Sequence, residues 1–497
     1  MVIMKWINFF SKSNWKLKAI KRAKEINSLN KRNKELVISR DTIKNKYNRL
    51  RVKNNELKER ITEIENEFKK KITTTVYKPK NHSYGIIIIQ LLLTITIRGS
   101  VKFRTLEKDI KIRAEIIKDY NRAPSHVTIR NWTLKIGYHE LTHQKEKAED
   151  WIILLDHSIQ FGCEKILVVL GIRERDFKKL NRPLQYTDLK TLLIVNKSSW
   201  NGKLVANELQ KLESTMGKFK YAVGDYGSDL RSGLVLSMIP HVHDLSHLIA
   251  LIIEKLYKND DRFIEFKDKM SNMRSQFAQT NIAAIVPPKG RKKSEYQSFD
   301  KIIKWGNAAL NLIDNKLNDS EQTKHLEEYF ETKTLDRIKT ELSWISDYSE
   351  LITELSEINH AIKGVEKELK HNGLSKLSFE KCREILEKLE SNNGKEFKKI
   401  LIFKINQQIQ LLPNTDTILF SSDILESIFG KYKNRVSENP MASITCLMLI
   451  IAAFTCNLTE DSVKQSIENV KIVDIKKWSQ ENIGISLFKK RKILLAA

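Results

Sequence analysis

The sequence predicts an α/β core that carries a large all-α insertion and is preceded by a helical unit and an N-terminal coiled coil. Three observations carry that reading. After Asp150 short apolar runs, "WIILLDHSIQFG", "EKILVVLGI" and "KTLLIVN", give three strands, and "FKYAVGD" and "IPHVHD" give two more between helical stretches. From about Lys258 to Leu412 nearly every window has helical spacing. Ahead of the strands, residues 13–71 are charged and free of Gly and Pro, with Leu29, Leu36, Ile43, Leu50 and Leu57 recurring every seven positions.

Length and charge narrow the class. A chain of 497 residues exceeds one ordinary core. Its formal net charge of +26 favours a polyanion, with nucleic acid ahead of an anionic membrane. The longest early apolar run, "GIIIIQLLLTITI" from Gly85, is broken by Gln90 and is too short to cross a bilayer, so no membrane partner is expected. The N-terminus lacks the pattern of a secretory signal, which points to the inside of the cell. Cys163, Cys382, Cys446 and Cys456 form no C-x-x-C pair, and read as core thiols.

Taken in order, residues 1–75 form the basic helical region. Its heptad pairs two protomers, as a homodimer or higher oligomer; the alternative is a solvated helix packing on its own chain. Residues 85–145 form a helix-turn-helix-like unit ending in "APSHVTIRNWTLKIGYHEL". There Ser125 opens a helix, Ile129, Trp132 and Ile136 make its inward stripe, and Gly137 is placed as its C-terminal stop. His126, Thr128, Arg130, Asn131 and Lys135 are left facing outward, side chains suited to base edges and phosphates. Residues 150–257 carry the strands, with helices at Asn201–Ser214, from Leu230, and at Leu245–Tyr257. Residues 258–412 are the helical insertion, with a basic loop, "VPPKGRKKSEY", at Val286. Residues 413–497 return as helices, including the buried run "ASITCLMLIIAAFTCNL".

The acids then need explaining. Asp156 sits inside an apolar strand, where a carboxylate needs hydrogen bonds, a positive partner or a metal. Asp225 closes the strand "FKYAVGD", at the kind of strand end where α/β folds present chemistry. A turn-forming Asp is the competing account of Asp225, and Asp229 is its rival, although Asp229 also reads as a helix cap. In "SSDILESIFGKYKNR", Glu426, Gly430 and Lys433 share one helical line. A capping box, Asp423-x-x-Glu426, is the structural alternative there. Glu350 and Glu354 in "SWISDYSELITELSEINH" are rival third acids on what reads as a solvated face. "HVHDLSHL" adds His243, Asp244 and His247 as accessory candidates. His243 and His247 stand four apart, but no further ligand group completes a zinc site.

This order of acids, with Asp on the first strand, Asp after the fourth, a long helical insertion and then Glu on a helix, resembles the RNase H-like, retroviral-integrase-like catalytic domain of DDE transposases. The resemblance spans roughly Gly85 to Leu458, on short motifs. It implies an RNase H-like core in which Asp156, Asp225 and Glu426 hold two Mg²⁺ (or Mn²⁺) ions for cleavage and joining of DNA. It also implies that transposon ends and target DNA are the partners, that Lys433 lies near the bound DNA, and that the setting is cytoplasmic and nucleoid-associated in a prokaryotic cell. Two other classes compete: a catalytically silent DNA-binding regulator derived from such an enzyme, and a coiled-coil scaffold for an acidic partner, which leaves the strand acids unexplained.

Overall fold

The alternation that starts at Trp151 builds β1 (Trp151–His157) into the centre of a mixed five-stranded sheet. Its companions are β2 (Lys165–Arg173), β3 (Lys190–Lys197), β4 (Phe219–Gly224) and β5 (His241–His243), in the order β3-β2-β1-β4-β5. β1 pairs antiparallel with β2, which pairs antiparallel with β3; β1–β4 and β4–β5 are parallel. Because side chains alternate along a strand, Ile152 and Leu154 enter one core while Trp151, Ile153 and Leu155 enter another on the opposite face. The computed structural model describes residues 2–73, 77–116, 123–157, 164–289, 299–313, 331–436, 443–483, 485 and 487–495. Ser158–Gly162, expected to extend β1, lie outside that range, as do Cys163 and the basic loop beyond Lys289.

The chain divides into two compact units, residues 1–78 and 79–497. The first is a single helix, α1 (Val2–Thr73), whose heptad side chains Leu29, Leu36, Ile43, Leu50 and Leu57 are all exposed. In the second, α2 (Ile86–Ile97), α3 (Phe103–Ile116) and α4 (His126–Thr142) precede the sheet. A short α5 (Glu174–Phe177) follows β2. The helices α6 (Gly202–Met216) and α7 (Ser228–Leu236) cover the Trp151 face of the sheet through Val205, Leu209, Leu230 and Leu234. After β5 comes α8 (Leu245–Tyr257), and then the helical segment α9 (Asp261–Phe277), α10 (Phe299–Ile313), α11 (Thr332–Leu342), α12 (Ser349–Asn372), α13 (Lys376–Leu386) and α14 (Asn392–Leu411). The chain returns as α15 (Asp423–Arg435), α16 (Leu449–Thr455), α17 (Glu460–Asn469), α18 (Ile472–Asn482) and α19 (Leu487–Leu495).

Residues 85–145 do not stand apart as the sequence suggested. The helices α2–α4 share one apolar core with the second face of the sheet and with α16–α18. Ser125 caps α4 as expected, its Oγ accepting from Thr128 N–H at 3.2 Å, and Ile129, Trp132 and Ile136 are buried. Gly137 is not a stop, because α4 continues to Thr142. A Cβ there would collide with the backbone carbonyl of Leu449, so glycine is what lets α16 lie directly on α4. Lys135 is a second correction: it is 9% exposed, and its Nζ donates to Ile467 O at 2.7 Å in α17. Helices and β3 together bury the middle of α4, so periodicity alone assigned Lys135 to a solvent face that does not exist.

Both long apolar runs are buried, as α2 and α16. Among the described residues no helix is long and apolar enough to cross a membrane. Cys382, Cys446 and Cys456 are free thiols, the first and last of them buried.

Candidate active site

The sheet brings the first two acids to one end. β1 and β4 run parallel with Leu154 opposite Val223, so Asp156 and Asp225, each two residues further along, reach the same level. Burial, and then the charge of Asp225, push the Asp156 carboxyl up to about 7, and Glu426 adds in the same direction. Against this, His157 N–H donates to Asp156 Oδ1 at 2.6 Å, and the nearby His247 favours the ionised form. Asp225 does form the expected turn, its Oδ1 accepting from Gly227 N–H at 2.9 Å. That bond uses one oxygen and leaves the carboxylate close enough to Asp156 to oppose its ionisation.

The third acid arrives from across the insertion. The helix α15 packs against β1 and is fastened at its start by Asp244, the N-cap of α8. One oxygen of Asp244 accepts from His247 N–H at 3.0 Å, and the other from Ser422 N–H at 2.6 Å and Ser422 Oγ at 3.0 Å. Asp244 is 1% exposed, so these bonds are what compensate its desolvation. Asp244→Ala is expected to cost about 2–3 kcal/mol in stability by chemical denaturation, because it leaves buried donors unpaired. The clasp holds the first turn of α15 beside α8. Glu426 Oε1 lies 3.1 Å from His247 Nε2, and that hydrogen bond pushes His247 up to about 9. The capping box is not formed: Ser422 is the N-cap, and Glu426 turns to His247.

The remaining candidates have other partners. Asp229 Oδ2 lies 2.9 Å from His157 Nε2, and Gly227 packs between Asp225 and Asp229. His243 stacks on Tyr226 with ring centroids 3.6 Å apart, and its backbone N–H donates to Gln408 Oε1 at 3.0 Å. Glu354 accepts from Tyr257 OH and Asn393 Nδ2, each at 2.8 Å, inside the insertion, and Glu350 is exposed at the start of α12. Lys433 is half-buried, and a side chain at Gly430 would meet open space, so this line of α15 is uncovered. Of the residues assigned to base and phosphate contacts on α4, His126 is held by Glu107 at 2.5 Å and Thr128 by the cap, whereas Arg130 is exposed and Asn131 half-exposed. Sequence reasoning missed His157 and Tyr226, although each directly follows a candidate acid. It also missed the ties of Asp423, which accepts from Ser246 Oγ at 3.1 Å and pairs with Lys370 at 2.7 Å; no local pattern announces contacts so distant in the chain.

A cleft of about 440 Å³ opens between α8, the insertion and α15, lined by Ser246, Asp300, Lys363, Glu366, Asp423 and Glu426. Asp156 and the two carboxylates that oppose its ionisation are hard oxygen donors whose chemistry suits Mg²⁺ or Mn²⁺. Among the described residues no three His, Cys, Asp or Glu side chains are gathered as a group that could hold an ion, and Glu426 is paired with His247.

No protein-family model and no curated protein matches the sequence. Among solved structures the chain is similar to one in the Drosophila P element transposase strand transfer complex, at 12% identity and a TM-score of 0.38. That match covers 79% of this chain and 98% of the other. A likeness so distant carries no inference about function.

Proposed function

We propose that the chain is a DNA transposase with an RNase H-like core, which binds the ends of its own element and catalyses metal-dependent strand cleavage and transfer. The observation that carries this reading is that Asp156 and Asp225 end neighbouring parallel strands, while Glu426, on a helix beyond the insertion, lies near enough to add its charge to that of Asp225 against the ionisation of Asp156. Divalent ions bound there would activate the attacking oxygen and neutralise the leaving one at phosphorus. The chain's own contribution is placement. Rigid neighbouring strands fix two carboxylates, the Asp244 clasp fixes the helix that carries the third, and His247 supplies the positive partner that holds Glu426 near them. Holding an ion would require Glu426 to give up His247. The +26 charge suits a polyanionic substrate.

The test is incubation of the full chain with Mg²⁺ and a duplex bearing the repeats that flank its gene. Nicked and joined products are expected. Tight, selective binding with no cleavage in Mg²⁺ or Mn²⁺ would instead identify a silent DNA-binding protein. End recognition is assigned to the open first turns of α4. Replacing Arg130 and Asn131 together by Ala is expected to weaken cognate binding by about 1–3 kcal/mol per lost base contact, measured at fixed salt. Unchanged affinity and selectivity would place the reader elsewhere.

A further inference from the structure

The seam on α1 specifies its partner more closely than the heptad alone. Placing Leu29, Leu36, Ile43, Leu50 and Leu57 at d puts Ile26, Asn33, Arg40, Tyr47 and Asn54 at a. On both lines the apolar side chains are half or more exposed: Ile26 56%, Leu29 61%, Ile43 65%, Tyr47 64% and Leu57 50%. A long isolated helix with an exposed apolar stripe is marginal in water and gains by covering it. Asn at a is tolerated where it meets another Asn, and such a pair fixes register. Parallel, in-register pairing of two identical helices places Asn33 opposite Asn33 and Asn54 opposite Asn54. It also places Arg40 opposite itself, where each guanidinium already has Asp41 at 2.9 Å.

The flanks work against the same pairing. In a parallel dimer each g residue faces the e residue five positions on in its partner. From residue 39 to residue 60 those positions are Ser39, Lys44, Lys46, Arg51, Lys53, Lys58 and Arg60, with no acid among them. Lys46 therefore faces Arg51 and Lys53 faces Lys58, on both sides of the symmetric seam. All these charges lie on an exposed helix, where salt screens them strongly.

We infer that α1 pairs with a second copy of this chain as a parallel, in-register coiled coil, and that like charge along its flanks keeps the pairing weak until anions neutralise it. The seam supplies attraction and register, and the flanks supply the control. Self-association is thus tied to the ionic surroundings of the helix, a property independent of the catalytic reading above.

Sedimentation equilibrium of the full chain across a sodium chloride series tests this by sign. Association through this seam is expected to strengthen as salt rises, whereas contacts between opposite charges weaken. Lys46→Glu with Lys53→Glu places acids opposite Arg51 and Lys58, and is expected to tighten association at low salt by about tenfold and flatten the salt dependence. Lys31→Glu with Lys34→Glu makes the same change of net charge on the outer face, and is expected to give a much smaller gain. Leu36→Glu with Leu50→Glu is expected to abolish association at every salt concentration. The inference is overturned if the wild-type chain stays monomeric throughout or associates less as salt rises. It is equally overturned if the seam variant associates normally, or if the outer-face and flank variants behave alike, since the contact then lies elsewhere.

Discussion

Exchange of Asp156, Asp225 or Glu426 for its amide is expected to lower Mg²⁺-dependent strand cleavage by about a thousandfold or more while end binding persists. Each amide keeps the shape of its acid and removes the charge a divalent cation needs. The three positions are not equivalent as controls of folding. Asp156 is pushed up to about 7, so the fold already disfavours its ionised form above the ordinary carboxylate range. Asp156→Asn is therefore expected to melt no lower than the wild-type chain in the absence of divalent ions, which separates lost chemistry from lost structure. Glu426→Gln retains an acceptor for His247, so α15 is expected to stay in place. A fully active Glu426→Gln enzyme would move the third acid to Glu350 or Glu354, although Glu354 is already committed to Tyr257 and Asn393. An active Asp225→Asn beside an inactive Asp229→Asn would shift the second acid to the partner of His157.

Gly137→Ala is expected to destabilise the unit of residues 79–497 by about 3 kcal/mol or more, read as a fall in thermal midpoint. The obstacle is the Leu449 backbone carbonyl and not the end of a flexible side chain, so the added methyl has to push α16 off α4. That would open the contact covering Ile129 and Ile136 and carry strain to β3, against which both helices pack. Ser125→Ala on the same helix removes only a cap and is expected to cost about 1 kcal/mol, which gives a scale for the comparison. Equal losses from the two substitutions would mean that α4 and α16 separate easily.

What the sequence made legible was whatever is periodic or local. Alternation from Trp151 marked β1 and placed Asp156 on the face of Ile152 and Leu154; Ser125 announced its cap; Leu245–Tyr257 was delimited by its own pattern. What it hid depends on residues far along the chain. Lys135 looks like a surface lysine because nothing near it shows the Ile467 carbonyl that receives its ammonium. Gly137 imitates a stop because a helix-ending glycine and a close-packing glycine look identical in one sequence. The capping box at Asp423 and Glu426 was correct as a pattern, but both acids have stronger partners, Lys370 and His247, brought in from other helices.

The junction of α4 with α16 and α17 bears on how the protein is made. Lys135 finds its acceptor 332 positions later, so during synthesis part of the apolar surround of α4 waits for that stretch to emerge. A nascent chain that has passed the sheet already holds Asp156 and Asp225, yet it lacks both α15 and the helices that cover α4. Products broken off before residue 443 would therefore leave uncovered the face of α4 around Lys135 and Gly137, which marks them for chaperones and proteases. Closure of this core thus waits until α16 and α17 have emerged.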